Sequence, residues 1–403
     1  MSISSANIAN ILKKVYTDAS MAHFMLCQNP LLGLIEKKMT SGSDGGTVIP
    51  AIYGDYAGRS ADFTESLSSM ASGYIPNEAF NLTIAENFAN AQIGHRQIKA
   101  TQNNATAFLN MLKEAQESNM RSLRKDLAFD LFRDGSGIIG TVSTVAGQVI
   151  TFTDRKGMRK IDLGTRLFCY SDSAFGTQRA NTAVVTHIDR AGGKVTVTGT
   201  ITAWAAADVV TVAGDAGIKI KGIASWIPST APTSGDNFFG VDRSKDAVAL
   251  AGVRFDAGSM MLKDAFIDAS AELVEISEAN PDVIVVSPRK FAELAKETSD
   301  RSTTVGFNGK IEIGYSSIKI ACANGLVDVV VDASVPDNRA YMLDLATWKF
   351  LCLGSSKLFS TWSEDGLDMI RSASANSLEM RMYSYIQLAC FAPSKNAVIL
   401  FNS

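Results

Sequence analysis

Apolar residues recur every three to four positions in some stretches of the chain and every second position in others. This division predicts most of the elements. Between residues 105 and 133, Phe108, Leu112, Ala115, Leu123, Leu127 and Leu131 form one stripe, with Glu114, Glu117, Arg121, Arg124 and Lys125 around it. Asp134-Gly135-Ser136-Gly137 ends the stretch, so the spacing predicts a helix of about 29 residues, roughly 43 Å long. Leu262, Phe266, Ala269, Leu273 and Ile276 repeat at four, three, four and three, which predicts a second helix. Residues 6–19 form a short amphipathic stretch, with Ile8, Ile11, Leu12, Val15 and Tyr16 on one face and Lys13 and Lys14 on the other. It reads equally well as an ordinary packing helix and as an arm that docks on a neighbouring subunit.

Elsewhere the period is two, or the apolar run is unbroken. After Asn280-Pro281, Val283-Ile284-Val285-Val286 reads as a strand buried on both faces, and Ser287-Pro288 opens a short helix from Arg289 to Lys296. Leu326 to Asp332, Ala340 to Leu345, Met382 to Cys390 and Asn396 to Leu400 read as further strands. Residues 138–214 are dominated by Gly, Thr and Val. Gln148–Phe152, Arg166–Tyr170, Ala183–Ile188, Lys194–Thr198 and Asp208–Val212 predict five or six short strands, with a hairpin at Asp189–Gly193. Such spacing predicts a small barrel or sandwich, inserted between the long helix and the body that resumes after it. Ser41–Gly46 is a flexible breaker, and residues 47–97 carry strand-like pieces at Thr47–Ile52 and Ala79–Ile84. Fifty weakly patterned residues make no core of their own, so a long two-stranded hairpin lying on a partner surface is expected.

This order of elements, with local runs such as Val285-Val286-Ser287-Pro288-Arg289, resembles tailed-phage major capsid proteins of the Hong Kong 97 fold family. The resemblance covers most of the chain outside residues 138–214 and rests on order and composition. It implies an α+β capsid fold with seven regions. These are an N-terminal arm (1–46), an extended β-hairpin loop (47–97) and a peripheral domain with a long spine helix (98–137). An inserted small β-barrel-like domain (138–214), a connector (215–245), an axial domain (246–345) and closing strands (346–403) follow. It also implies a structural protein with no enzymatic activity, self-assembling as hexamers and pentamers into an icosahedral head around double-stranded DNA. The implied location is the virion, after assembly in the host bacterial cytoplasm. The implied partners are other copies of the chain, a portal, a separate scaffold and a decoration protein, with packaged DNA touched only weakly and non-specifically. An alternative within the same fold is an encapsulin-like nanocompartment shell, although such shells usually lack so large a β insertion. Helix and arm patterns begin almost at Met1, so no fused scaffolding segment is expected.

Charge and composition sharpen this picture. The 403 residues carry a net charge of −3 and no basic block, so tight wrapping of nucleic acid is not expected. With 46% apolar and 20% charged residues the chain can bury a core. No apolar run approaches the roughly 20 residues of a membrane span, and no signal peptide is legible, so no membrane partner is expected. Cys27, Cys169, Cys322, Cys352 and Cys390 are scattered without a CxxC spacing. The last three sit in apolar strand-like runs as small hydrophobes, which points to a reducing compartment.

Catalytic patterns are missing from the sequence. His23, His95 and His187 are far apart, none with a partner at metal-ligand spacing. Gly306-Phe307-Asn308-Gly309-Lys310 is followed by Ile311, which lacks the hydroxyl a phosphate loop requires. Asp242, Asp246, Asp256, Asp264 and Asp268 cluster around one stretch, where a solvated helix face outweighs acid–base work. A soluble enzyme with a β accessory domain would need a polar constellation that this sequence does not display. No catalytic, cofactor-binding or metal residue and no cofactor is therefore expected. Some shells of this family crosslink subunits through a lysine of the extended loop. Here no lysine occurs between Lys38 and Lys99, so non-covalent contacts or a decoration protein would hold the shell. The candidates for inter-subunit contact are Ile8, Leu12, Tyr53, Phe63, Tyr74 and Phe80.

Overall fold

The computed structural model describes residues 29–40, 47–51, 60–72, 78–96, 99, 105–180, 182–300, 318–354, 357–361, 370–372 and 376–402. The chain divides into two compact units. The first contains Ala85–Gly222 and Cys352–Ile386, and the second contains Gly33–Ile84, Ile223–Leu351 and Gln387–Ser403.

The described chain opens with α1 (Pro30–Leu34), a single turn that buries Leu31, and β1 (Glu36–Thr40), whose first four residues are exposed. β2 (Thr47–Ala51) and β3 (Glu78–Leu82) pair antiparallel, from Thr47 opposite Leu82 to Ala51 opposite Glu78, with α2 (Phe63–Ser72) between them in sequence. Alternation buries Ile49, Ala51, Phe80 and Leu82 on one face of this ribbon and leaves Val48 on the other. β4 (Ala85–Gly94), which falls in the range expected for one long hairpin, takes a different partner. In the first unit it pairs antiparallel with β21 (Ser377–Cys390), from Ala85 opposite Ile386 to Gly94 opposite Ser377.

α3 (Ala105–Asp130) packs against β4 in the first unit. Leu123, Leu127 and Leu131 are buried, as the apolar stripe predicts; the side chains of Phe108, Leu112 and Ala115 lie outside the described residues. The helix stops three residues short of its expected end. The amides of Phe132 and Arg133 donate to Phe129 O and Asp130 O at 3.3 and 3.1 Å, which tightens the last turn to i→i−3 bonding.

β5 (Ile138–Ala146), β6 (Val149–Phe152), β7 (Arg166–Tyr170), β8 (Ala183–Asp189), β9 (Lys194–Thr198) and β10 (Val209–Val212) form a closed barrel in the order β10-β5-β6-β9-β8-β7. Closure removes every sheet edge. Each strand turns one set of alternating residues inward: Val142, Ile150, Phe152, Leu167, Val185, Val195, Val197 and Val210 fill the interior with Trp204. The turn between β8 and β9 is built as its residues predict. Asp189 Oδ1 accepts from Ala191 N and Gly192 N at 3.1 and 2.9 Å, and Gly193 takes a φ of +65°.

α4 (Ile223–Trp226), with the two-residue strands β11 (Asn237–Phe238) and β12 (Val241–Asp242), returns the chain to the second unit. Its main body is a six-stranded sheet. β13 (Val253–Gly258), β14 (Val283–Val286), β15 (Ile318–Cys322), β16 (Gly325–Val331), β17 (Arg339–Leu343) and β22 (Ala397–Phe401) stand in the order β13-β22-β17-β14-β16-β15. β14 sits inside the sheet with all four residues buried, as its unbroken apolar run predicts. α5 (Leu262–Ser277) and α6 (Pro288–Asp300) cover it, with Phe266, Ala269, Leu273 and Leu294 in one core with Ile284, Met342 and Ile399. α6 is longer than expected, and Pro288 occupies its first position, where a missing N–H costs nothing. β18 (Trp348–Leu353) lies beside β1, while β19 (Ser360–Thr361) and β20 (Ile370–Arg371) pair with β21 in the first unit.

Candidate functional site

Among the described residues, no group of three His, Cys, Asp or Glu side chains could hold a metal ion. His187 is exposed on β8, and His23 lies outside the described residues. Cys352 and Cys390 are buried and Cys322 is half-buried. Burial pushes the Cys390 thiol up to about 12. Burial, followed by the Asp208 carboxylate, does the same to Cys169. A thiol held so high supplies almost no thiolate nucleophile. The aspartates around α5 divide into two kinds. Asp264 and Asp268 are exposed on the helix, as predicted. Asp242, Asp246 and Asp256 build turns by accepting from Ser244 N, from Val248 N and Ala249 N, and from Gly258 N.

In the second unit an open groove of about 390 Å³ runs past Pro228, Pro232 and Asp236 to Arg243. The Arg243 guanidinium is committed within the chain. It donates to Asp236 Oδ2 at 3.1 and 2.8 Å and to Ser225 O at 2.6 Å, and it stacks 4.2 Å from the Phe238 ring centroid. The groove is therefore braced by its arginine rather than armed by it.

What each unit shows to solvent is more telling. In the second unit Phe63 and Leu67 project from α2 four residues apart, 78% and 45% exposed, and Val48 of β2 is 63% exposed. Phe63 and Leu67 share one face of α2, since residues four apart on a helix are neighbours. In the first unit Phe88 of β4 is 53% exposed, although its ring lies edge-on to Tyr385 of β21 at 5.9 Å, and Tyr385 lies 4.7 Å from Tyr383. Phe88 and Tyr383 are direct cross-strand partners, so the three rings form one aromatic strip on this ribbon.

Of the two candidate contact residues among the described residues, Phe63 is placed in solvent. Phe80 is 1% exposed, and its ring packs edge-on against Trp226 at 5.2 Å and Phe238 at 6.2 Å, so it is used within the chain's own core. Ile8, Leu12, Tyr53 and Tyr74 lie outside the described residues. The strip of Phe88, Tyr383 and Tyr385 was not singled out from the sequence. Its signal was present as alternation in Met382-Tyr383-Ser384-Tyr385, but which of the two faces stays open depends on what packs beneath.

A second feature escaped the sequence entirely. In the first unit Lys160, whose side chain is 1% exposed, reaches Asp130 of α3 at 3.1 Å and Asp215 at 3.0 Å; Lys219 reaches Asp215 at 3.1 Å and Asn87 of β4 at 2.6 Å. Asp126 stands one turn before Asp130 on the same face of α3. Burial disfavours the charged Lys160 amine, but Asp130, Asp126 and Asp215 outweigh it and hold the pKa above the usual lysine range. Burial raises Asp126 to about 6, against the opposing pull of Lys160. These five residues span 94 positions of sequence, from 126 to 219, and share no motif.

No family model and no curated protein matches the chain. Solved structures do. The capsid asymmetric unit of cyanophage A-1(L) superposes with a TM-score of 0.51 and 12% identity over 98% of both chains. A structure from Mycobacterium phage Ogopogo gives 0.44 and 10% identity, covering 96% of this chain and 95% of that one. The SrpI encapsulin of Synechococcus elongatus PCC 7942 gives 0.48 and 8%, covering 99% and 96%. The chain has the Hong Kong 97 fold of tailed-phage capsid proteins.

Proposed function

We propose that this chain is the major capsid protein of a tailed phage, a structural subunit that assembles as hexamers and pentamers into an icosahedral head enclosing double-stranded DNA. The observation that carries the reading is the near-complete two-way coverage by the cyanophage A-1(L) capsid chain. In this reading residues 1–46 form the N-terminal arm, and the ribbon of β2, α2 and β3 is the tip-bearing part of the extended loop. α3 is the spine helix of the peripheral domain, the six-stranded sheet with α5 and α6 is the axial domain, and the barrel is an inserted domain. The open side chains of Phe63, Leu67 and Val48 support it, because obligate shell interfaces bury more than about 2,000 Å² and are rich in apolar contact. The net charge of −3 suits a wall that touches packaged DNA weakly. Portal, separate scaffold and decoration protein complete the partners, and the mature location is the virion.

Negative-stain electron microscopy of the expressed chain, alone and with a co-expressed scaffold, tests this. Hollow closed shells are expected. Shells that carry protein cargo in place of nucleic acid would redirect the reading to a nanocompartment. Only monomers or small oligomers under both conditions would overturn it.

A further inference from the structure

The barrel's two connections to the rest of the first unit run side by side. Gly217 N donates to Ser136 O at 2.8 Å, so the chain leaves and re-enters at one point. The backbones touch there: a Cβ on Gly137 would lie 2.3 Å from Asp215 O. Beside this crossing sits the cluster of Asp126, Asp130, Lys160, Asp215 and Lys219. α3 contributes Asp126 and Asp130, the 3-10 turn after β6 contributes Lys160, the exit segment contributes Asp215 and Lys219, and β4 contributes the neutral Asn87. The charged neighbours Lys125 on α3 and Arg133 just beyond its end are engaged elsewhere, by Asp162 at 2.7 Å and Asp154 at 3.4 Å.

Three carboxylates against two ammonium groups leave one negative charge too many in a site where four elements meet. Water screens it poorly, because Lys160 and Asp130 are buried. We propose that the root of the barrel is a proton-operated joint: taking up one proton at Asp126 balances the cluster and clamps the barrel to α3, and losing it loosens the joint.

The sign follows from the folded state holding that proton more tightly than an open one. Burial lifts the Asp126 carboxyl to about 6 in place, and release returns it to the ordinary aspartate value of 3.8. Its contribution is therefore fully present below the lower value and is lost as pH rises through the upper one. Opening of the joint should be about tenfold more frequent at pH 7.5 than at pH 5.0.

The test is hydrogen–deuterium exchange of the full chain at both pH values, corrected by an unfolded reference, read in peptides covering 134–137 and 213–219. Wild type should open about tenfold more often at the higher pH, and Asp126→Asn, isosteric and uncharged, should be protected equally at both. If the amide of Asn disturbs the cluster, Asp126→Ala removes the same carboxylate. A wild type whose opening is independent of pH, or variants that keep its full pH dependence, would overturn the proposal.

Discussion

Asn396 and Trp348 are locked together in the second unit: Asn396 Oδ1 accepts from Trp348 Nε1 at 2.7 Å, with both residues at 0% exposure. The same oxygen accepts from Asp344 N at 2.9 Å, while Nδ2 donates to Thr347 Oγ1 and to Ala392 O, each at 3.0 Å. One amide thus ties the start of β18 to the approach of β22. A buried polar group earns its place only when its partners are all present, and removal strands each of them.

Asn396→Leu is therefore expected to destabilise the chain by about 3 kcal/mol or more, since several buried donors and acceptors lose their partners together. Asn396→Asp keeps the acceptor, loses the donors and buries a charge, so it should be no better tolerated. Denaturant unfolding of the unassembled subunit measures both. A cost below about 1 kcal/mol for the Leu variant would mean that water replaces the network.

Glu297 of α6 caps a helix that has no cap of its own. Met261 precedes α5 without a side-chain bond, and the Glu297 carboxylate accepts from Leu262 N at 3.2 Å and Lys263 N at 3.3 Å. A carboxylate at a helix N-terminus satisfies orphan amides and meets the positive end of the dipole. Glu297→Ala should cost about 1 kcal/mol and Glu297→Gln less, with the gap between them narrowing in high salt. Equal cost at all ionic strengths would argue for packing rather than charge.

Phe63 of α2 and Phe80 of β3, one exposed and one buried, should respond oppositely. Phe80→Ala empties a packed aromatic site and should cost about 3–5 kcal/mol of subunit stability. Phe63→Asp changes an exposed ring and should alter that stability by less than about 0.5 kcal/mol, yet suppress particle formation. Thermal unfolding and particle counting by electron microscopy separate the two effects. Full assembly of Phe63→Asp would remove this ring from the contact set.

The hydrogen bond from Gly217 N to Ser136 O predicts that the barrel can be removed. Replacing residues 138–215 with a short Gly-Ser linker spans a gap that is already closed, so loop entropy changes little. The deletion removes Lys160 and Asp215 together, and leaves Asp126, Asp130 and Lys219 as a smaller group of opposite charges. The shortened chain should fold, with the remaining peptides keeping their hydrogen-exchange protection. Loss of protection in α3 would show that the barrel is part of the first unit's core.

Sequence alone carried the periodic elements. The stripe of Leu262, Phe266, Ala269 and Leu273, the apolar run Val283–Val286 and the strands of the barrel are local patterns, and local patterns survive because period and burial are linked residue by residue. The same reading set Phe80 among the contact candidates and passed over Phe88. Both are aromatic residues in alternating strands, and alternation says that one face is buried without saying which. Trp226 and Phe238 settle the matter for Phe80.

The charge cluster and the Asn396 hub were illegible for a related reason. Their members are ordinary polar residues, brought together from distant positions by chain crossings. The sequence determined the long helices, the apolar strand Val283–Val286 and a run of short strands between 138 and 214 suited to a barrel or sandwich. Tertiary structure decided which face each strand hides and which charges are forced to share a buried site, because both depend on contacts between residues far apart in the chain.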